Sequence, residues 1–210
     1  MTHVKLIHST PDGDNLVAYM ARVSNPDNQD NTETSGRLIK YLITHKHWSP
    51  FEMVNMCVQI NTTRSIAAQI LRHRSFSFQE FSQRYAQVTD PIGVPELRKQ
   101  DTKNRQNSTD DLDAFTLQHY QLRLQHHFQQ ATQIYESMLK DGVAKECARE
   151  VLPLCTPTKM YMNGSLRSWI HYCELRCANG TQKEHKDVAD ECKQLIIQQF
   201  PMVAKAWLGK

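Results

Sequence analysis

The sequence predicts one α/β domain in which a central antiparallel or mixed sheet is packed by several long helices. The chain has 210 residues, 40% of them hydrophobic, which suits a single domain with a sizeable core. A two-residue alternation between positions 54 and 61 indicates a half-buried strand. Helical patterns surround that strand, and strands among long helices are typical of a mixed α/β domain.

The first third of the chain begins with a short predicted strand around Val4. "DNLVAYMARVS" predicts a helix with Asp14 as its N-cap, and "TSGRLIKYLITHKH" predicts a second helix, which Pro50 interrupts. "FEMVNMCVQINTT" contains the half-buried strand. Thr62 or Thr63 is then expected to cap a helix, "RSIAAQILRH".

The rest of the chain is predicted to be mainly helical. Residues 97–111 are the most polar segment and indicate a surface loop, with an active-site lid as the alternative. An amphipathic helix follows at about 112–140, then a short helix, "AKECAREVL", which stops before Pro153. "TKMYMNG" is a candidate strand, and "SLRSWIHYCELRCA" and "TQKEHKDVADECKQLIIQQF" are closing helices. Residues 1–210 are therefore expected to form a single domain.

Composition and charge argue against several classes of protein. The formal net charge is only +3, which does not favour a nucleic-acid partner. No apolar run is long enough for a transmembrane helix, and "MTHVKLIHST" lacks the apolar core of a signal peptide. We therefore expect no membrane partner and a cytoplasmic location, or the host cytoplasm if the source is viral. In that compartment the six cysteines are expected to be free thiols.

The histidines and cysteines do not predict a metal site. His45 and His47 are two positions apart, and Cys173 and Cys177 lie near His171 with a helical spacing. Structural zinc sites usually combine two tighter pairs, and no second pair is evident in the sequence. Thiols packed on a helix face are the simpler interpretation.

The stretch "RHRSFSFQEFSQRY" combines cations, hydroxyls and aromatic residues. Arg72, His73 and Arg74 come where a helix is expected to end, so their side chains point in different directions around a ligand. Arginine suits phosphate because its planar fork donates two parallel hydrogen bonds. Glu80 adds an acceptor for an N–H or O–H group. The composition fits a nucleotide-like anion, although a salt-bridged surface turn and an RNA-binding module remain alternatives.

The spacing of these residues resembles a family motif. The pattern R-H-R-x2-S-x4-S-x-R is filled here in full, and it closely resembles the defining motif of the flavin-dependent thymidylate synthases. Four further blocks resemble that family: "ARVS", "HWSPFEM", "AREVLPL" and "SLRSWIHYCELR". The blocks follow the family order, and only about 86–145 matches weakly.

The resemblance implies a reaction and its cofactors. Family members convert dUMP to dTMP by reductive methylation. Methylenetetrahydrofolate supplies the carbon, reduced FAD supplies the hydride, and NADPH usually re-reduces the flavin. The resemblance also implies a homotetramer of α/β subunits with flavin sites shared between subunits, whose partners are dUMP, folate and NADPH.

Site residues carry over from the resemblance by position. The implied FAD contacts are Ser49, Arg72, His73, Arg74, Glu80, Ser165, Arg167 and His171. The implied dUMP contacts are Gln69, Arg72, Glu80, Phe81, Ser82, Gln83, Arg84, Arg149 and Arg176. His47 and Tyr85 are expected towards the folate or flavin face. The chain departs from the common pattern at Gln79, His171 and Gly180. At the position of Gly180 some members have a histidine that contacts the flavin. Thr181 and His185 are the nearby residues that could replace this contact.

Three residues are expected to act in catalysis: Arg176, Ser82 and His47. Reductive methylation needs C5 of uracil as a nucleophile, so negative charge must develop on the ring and be stabilised there. A fixed guanidinium such as Arg176 can do this in a site shielded from water. Arg84 and Arg149 are suited to clamp the phosphate. No base is evident beside Ser82, so we expect it to orient the substrate rather than attack it.

Overall fold

The computed structural model describes residues 3–209 and has mixed α/β architecture. The strands are β1 (His3–Ser9), β2 (Asn55–Thr63), β3 (Ser77–Glu80), β4 (Lys99–Gln100), β5 (Ser108–Thr109) and β6 (Pro157–Ser165). The helices are α1 (Gly13–Ala21), α2 (Ser35–Thr44), α3 (Arg64–Ile70), α4 (Ala114–Lys140), α5 (Lys145–Ala148), α6 (Leu166–Arg176), α7 (Lys183–Gln199) and α8 (Pro201–Leu208). Short 3₁₀ turns occur at Pro26–Asn28, Ser49–Met53 and Arg149–Val151.

The central sheet has the strand order β1-β2-β6-β3, and all of its pairings are antiparallel. The two long inner strands, β2 and β6, pair along their whole lengths, from Asn55 opposite Ser165 to Thr63 opposite Pro157. In each of these strands alternate side chains are buried. The two-residue alternation therefore predicted β2 correctly, and the candidate strand "TKMYMNG" is confirmed as part of β6. The sheet is antiparallel rather than mixed.

One sheet face carries the core. Met56, Val58 and Ile60 of β2 and Met160 and Met162 of β6 are fully buried. The core also includes the inward faces of α1, α3, α6, α7 and α8, in which Trp169 is the largest fully buried side chain. Its indole N–H donates to the carbonyl of Met56 at 2.9 Å, which ties α6 to β2.

Several element boundaries differ from the sequence prediction. Asp14 does not cap α1, because Asp12 occupies the N-cap position, in a left-handed conformation. The carboxylate of Asp14 instead accepts hydrogen bonds from the backbone N–H groups of Met202 and Val203, at 2.8 and 3.0 Å. Those groups begin α8, a helix that was not predicted. Burial raises the pKa of Asp14, against the opposing effect of these two hydrogen bonds.

The polar segment 97–111 is not a simple loop. It contains the hairpin of β4 and β5, in which Lys99 pairs with Thr109. The side chain of Arg98 is only 10% exposed and lies 2.8 Å from Glu184 at the start of α7. The base of the hairpin is therefore held against α7 by an ion pair.

Candidate functional site

The motif segment follows α3, which ends at Ile70 rather than continuing through the motif arginines. A turn leads into β3, so Ser77–Glu80 form an edge strand that the sequence analysis did not predict. The strand is short and polar, which hides its two-residue alternation. Its pairing with β6 places Phe78 opposite Met162 and Glu80 opposite Met160.

Phe76 anchors the motif turn to the core. It is 9% exposed, and its ring centroid lies 4.8 Å from Trp169 and 5.9 Å from Tyr172, both in edge-on arrangements. Gly164 on β6 makes room for the ring, because a Cβ there would lie 2.4 Å from Phe76. The polar side chains on either side of Phe76 are thereby held at the surface.

The motif arginines differ in their partners. Within residues 3–209, no carboxylate forms an ion pair with Arg72 or Arg74, and both side chains are exposed. Arg84 lies 3.0 Å from Glu146, with 64% of its own side chain exposed. Arg149 contacts its neighbour Glu150 at 3.3 Å. A salt-bridged surface turn therefore does not describe Arg72 and Arg74, whose charges are available to an anion.

Glu80 is held from two sides. Arg64, the first residue of α3, donates to its carboxylate at 2.6 Å, and the hydroxyl of Thr158 on β6 donates to the same oxygen at 2.9 Å. Both contacts fix the carboxylate at the end of β3. Arg64 and Thr158 were not among the predicted site residues, since neither lies in the motif.

His73 and Arg176 meet at the C-terminal end of α6. The Arg176 Nε–H donates to the Nε2 atom of His73 at 2.9 Å, so His73 must be neutral with its proton on Nδ1. Burial and the nearby charges of Arg176 and Arg72 lower the pKa of His73 to about 4. The terminal nitrogens of Arg176 make no hydrogen bond within the described chain. They are therefore available to a ligand beside Arg72.

Gln69 lies in the last turn of α3 and is hydrogen-bonded to two residues at the start of α7. Its amide Nε2 donates to Gln182 at 2.7 Å, and its Oε1 lies 3.2 Å from Nδ1 of His185. His185 is fully buried, and Thr181 donates its hydroxyl to the Leu175 carbonyl at 3.4 Å. The buried His185 is therefore not presented to a ligand at the place where some family members have a histidine and this chain has Gly180, whereas the partly exposed Thr181 hydroxyl keeps its acceptor lone pairs. Gly180 itself has a φ of +91°, a conformation that favours glycine.

A second group of predicted residues lies at the N-terminal end of α6. The hydroxyl of Ser165, the N-cap residue, donates to Glu52, and Arg167 donates to the other oxygen of Glu52 at 2.8 Å. The Ser165 hydrogen bond, followed by Arg167, lowers the pKa of Glu52, although burial opposes the shift. Sequence reasoning missed Glu52, yet it lies within the "HWSPFEM" block and could have been found there.

The residues around Trp48 extend this second group. The Trp48 ring lies 5.7 Å from His171 of α6, edge to face. Ser49 and His47 are exposed beside it, and the His47 ring is 5.9 Å from Tyr41. These polar groups face outward above a core that Trp48 helps to cover.

The segment after β3 contributes backbone and amide groups. Phe81 is half-buried, and its N–H donates to the carbonyl of Lys159 at 2.9 Å. The Ser82 carbonyl accepts from the N–H of Tyr85 and forms a turn, which leaves Tyr85 86% exposed. Gln83 is buried, and its Nε2 atom has no hydrogen-bond partner within residues 3–209. An unsatisfied buried donor fits a site in which a ligand supplies the acceptor.

In a single chain the predicted residues form an open surface in two groups. Arg167 and Arg176 mark the two ends of α6 and are nine residues apart, which corresponds to about 13 Å along a helix. Cavities of about 410 and 260 Å³ lie beside α1, and no predicted site residue lines either of them. The same chain thus offers a cationic group near Arg72 and a second polar group near Glu52.

Other features of the described residues bear on the earlier expectations. All six cysteines are free thiols. Between His3 and Gly209, no helix is both long and apolar enough to cross a bilayer. In that same range, no three histidine, cysteine or carboxylate side chains come together as a metal site.

Comparison with known proteins agrees with the motif and with the fold. Residues 5–202 match the family described as thymidylate synthase complementing protein. The probable flavin-dependent thymidylate synthase of Paramecium bursaria Chlorella virus 1 is 52% identical over 191 residues, which cover 91% of this chain and 88% of the viral protein. The flavin-dependent thymidylate synthase of a Synechocystis species is 50% identical over 197 residues, 94% of this chain and 89% of its own.

Solved structures show the same architecture. The UMP/dUMP methylase PolB from Streptomyces cacaoi, bound with 5-Br dUMP, superimposes with a TM-score of 0.88 at 25% identity. The superposition covers 100% of this chain and 95% of that chain. Because the family match, the two relatives and this fold agree across nearly the whole sequence, the chain belongs to the flavin-dependent thymidylate synthase family.

Proposed function

We propose that this protein converts dUMP to dTMP by reductive methylation, with FAD as its bound cofactor. Methylenetetrahydrofolate would donate the carbon and NADPH would be the reductant, as the family resemblance implies. The observation that carries the proposal is the cationic group of Arg72, Arg74 and Arg176, in which the first two have no carboxylate partner within residues 3–209. An RNA-binding module, the alternative reading of the same residues, has no support in the family match.

The residues present fit a nucleotide and a flavin. Unpaired guanidinium groups at Arg72 and Arg74 suit phosphate oxygens, and the unsatisfied Nε2 of Gln83 needs an acceptor. When bound, the flavin supplies the hydride that the carbon unit requires to become a methyl group. Its proposed contacts are Ser49, Arg72, His73, Arg74, Glu80, Ser165, Arg167 and His171.

Arg176 is proposed to stabilise negative charge on the uracil ring. Its Nε–H bond to the neutral imidazole of His73 fixes the plane of the guanidinium and leaves the terminal N–H groups free. A preorganised cation is most effective where charge develops in the transition state. C5 of uracil would then form a bond to the methylene carbon as the bond from that carbon to the folate nitrogen breaks, and the proton on C5 would be lost. Arg84 and Arg149 would bind the phosphate.

Ser82 is proposed to orient dUMP by donating a hydrogen bond. No histidine or carboxylate hydrogen-bonds to its hydroxyl within residues 3–209, so the activation that a nucleophilic serine needs is missing. Ser82→Ala should reduce turnover but leave some activity. Complete loss of turnover with dUMP and FAD still bound would argue for a covalent role.

We further propose a homotetramer in which subunits share each flavin site. The two groups of predicted residues lie at opposite ends of α6, so a second subunit can complete each group. α4 exposes Phe115 and Leu122, at 80% and 61%, seven residues apart on one helix face, which is suited to contact with another chain. Size-exclusion chromatography with light scattering tests the expected mass of four chains.

The activity test uses the purified protein. We expect a yellow flavin spectrum and formation of dTMP when dUMP, methylenetetrahydrofolate and NADPH are all present. Omission of any one of the three should abolish product. A colourless protein that forms no dTMP even after incubation with FAD would overturn the proposed function.

A further inference from the structure

A chain of hydrogen bonds runs behind the cationic group, through side chains that the proposed chemistry does not use. The Tyr172 hydroxyl lies 3.2 Å from Nε2 of His185, and Nδ1 of His185 lies 3.2 Å from Oε1 of Gln69. The Gln69 Nε2 donates to Gln182 at 2.7 Å, and the Gln182 Nε2 donates to Glu184 at 2.9 Å. The chain therefore ends at a carboxylate.

Each bond in this chain has only one possible direction. Glu184 accepts as a carboxylate, so the Gln182 amide must donate to it, and the Oε1 of Gln182 must then accept from Gln69. The Oε1 of Gln69 in turn accepts from His185, which places the imidazole proton on Nδ1. Nε2 of His185 then accepts from the Tyr172 hydroxyl.

His185 is suited to hold this tautomer. It lies on α7 and is completely buried. Burial, and to a smaller extent the positive charge of Arg176, lower the pKa of His185 to about 3. A neutral imidazole has one donor and one acceptor, and both are used. The ring therefore cannot rotate or protonate at ordinary pH without losing a buried hydrogen bond.

The consequence is a fixed orientation of the Gln69 carboxamide. The amide has two donors and two acceptor lone pairs, and the chain uses one of each. One N–H and one lone pair remain for a ligand, each on a defined side. Reversing the amide would exchange them, and the exchange would break the bonds to both His185 and Gln182.

We propose that His185 is a positioning residue that fixes the Gln69 amide and thereby selects uracil over cytosine. This inference rests on the proposed function, in which Gln69 contacts dUMP. Uracil has a carbonyl oxygen at C4, where cytosine has an amino group. The free N–H of the fixed Gln69 amide donates to that carbonyl. The amino group of cytosine would meet the same N–H at that position, donor against donor, and an acceptor lies there only when the amide is reversed. The Glu184 carboxylate, which Arg98 holds at 2.8 Å, anchors the far end of the chain.

Two substitutions of His185 separate this role from simple packing. The amide of asparagine reaches the position of Nδ1, so His185→Asn keeps a donor for Gln69 and loses the partner of Tyr172. The amide of glutamine reaches the position of Nε2, so His185→Gln keeps Tyr172 and loses Gln69. Each variant loses one buried hydrogen bond, and similar drops in thermal stability are expected.

The readout is equilibrium binding of dUMP and dCMP to the FAD-loaded protein by calorimetry. For His185→Gln we expect the dUMP Kd to rise about tenfold and the ratio of dCMP Kd to dUMP Kd to fall about tenfold. For His185→Asn both quantities should stay within threefold of wild type. Equal behaviour of the two variants, or an unchanged ratio in His185→Gln, would overturn the proposal.

A surface variant provides the same test if the buried variants fail to fold. Gln182 is exposed, and Gln182→Ala removes the acceptor that holds the Gln69 Nε2. We expect a fall in the Kd ratio of at least threefold, with kcat for dUMP within threefold of wild type. Gln198→Ala, at an exposed glutamine of α7, the helix that Gln182 precedes, is the control and should change neither.

The outcomes distinguish the two proposals. Wild-type protein that binds dUMP but forms no dTMP contradicts the proposed function, while the Kd ratios still decide the role of His185. Wild-type protein that forms dTMP, with an unchanged ratio in both His185→Gln and Gln182→Ala, contradicts the positioning role alone. Absence of dUMP binding to the wild type overturns both.

Discussion

The motif segment 72–85 and the polar segment 97–111 are both rich in cations, yet their charges are used differently. Arg72 and Arg74 have no carboxylate partner within residues 3–209. Arg98 lies between Glu184 at 2.8 Å and Glu96 at 3.5 Å, and its side chain is 10% exposed. The first segment is anchored by an aromatic ring and the second by ion pairs.

This difference separates cations that bind ligands from cations that hold the fold. A guanidinium that already has carboxylate partners contributes to stability and has little left to offer an anion. Neighbouring unpaired guanidinium groups repel one another and are retained at a cost to stability. Composition alone cannot distinguish the two cases, because the carboxylates that pair with Arg98 come partly from α7, far along the chain.

The largest expected effect is on ligand binding by the motif segment. Arg72→Gln should weaken binding of dUMP and FAD by about 10- to 100-fold, because a charge-assisted hydrogen bond to phosphate is lost. The melting temperature of the ligand-free protein should stay the same or rise, since Arg72 has no ion pair to lose. Calorimetric binding and a thermal scan check both parts, and a clear loss of ligand-free stability would contradict the comparison.

The second effect should be a loss of stability with ligand binding retained, the reverse of the result expected for Arg72→Gln. Arg98→Gln leaves Glu184 without its cation and should cost about 2 kcal/mol, or about 4–8 °C in melting temperature. Binding of dUMP should remain within threefold of wild type. Lys103→Gln, in the exposed turn of the same hairpin, is the control and should leave the melting temperature unchanged. A large loss of dUMP affinity in Arg98→Gln would indicate that the hairpin acts on the ligand site, either by direct contact or through Glu184 and the hydrogen-bond chain to Gln69.

A third effect depends on pH. His73 has a folded pKa of about 4, against an ordinary value of 6.5, so below pH 6.5 the unfolded chain takes up a proton that the folded protein resists. The stability contributed by neutral His73 is complete above pH 6.5 and is lost as the pH falls towards 4.

Denaturant unfolding between pH 7 and 4.5 measures this contribution. The loss attributable to His73 should be at most about 1.4 kcal/mol per pH unit, and smaller here because the side chain is only half-buried. His73→Gln should therefore flatten the decline, whereas His126→Gln on the exposed face of α4 should not. Parallel curves for wild type and His73→Gln would show that His73 protonates as readily folded as unfolded.

The smallest effect is expected at the turn between α6 and α7, which lies beside the hairpin of the polar segment. Gly180 has a φ of +91°, and the nearest atom to an added Cβ would be Oδ1 of Asn107 in the hairpin, at 3.8 Å. Gly180→Ala should cost about 1 kcal/mol, or about 2–4 °C, through backbone strain rather than a clash. Gly93→Ala, where an added Cβ meets nothing within 4 Å, is the control and should leave the melting temperature unchanged or raise it slightly, because alanine restricts the unfolded chain. A stable Gly180→Ala variant would show that the turn is free to adjust.

Much of the fold could be predicted from local patterns. The alternation in β2 and the candidate strand at β6 were confirmed, and so was the long helix that became α4, because each has a period that the sequence displays. The edge strand β3 was missed because its pairing with β6 comes from residues about 80 positions away. Asp14 was predicted to cap its own helix, whereas its carboxylate binds the N-terminus of α8.

The candidate site likewise contains residues that the sequence identified and partners that only the structure revealed. The resemblance of their spacing to a family pattern identified one motif, since a motif is a property of sequence order; its residues are Arg72, His73, Arg74, Ser77, Ser82 and Arg84. The partners that hold the site came from elsewhere: Arg64 and Thr158 on Glu80, and Glu52 on Ser165 and Arg167. Single-chain patterns contain no signal for such pairs, except for Glu52, which belongs to a matched block.

By itself the sequence determined the family motif, the α/β class and the residue types that suit an anionic nucleotide. The tertiary structure alone decided which of those charges are paired and which remain available. It also placed His185, a residue outside the motif, behind Gln69 in a buried hydrogen-bond chain. The physical reason is that pairing, burial and tautomer depend on distances between residues remote in sequence, and these distances exist only once the chain has folded.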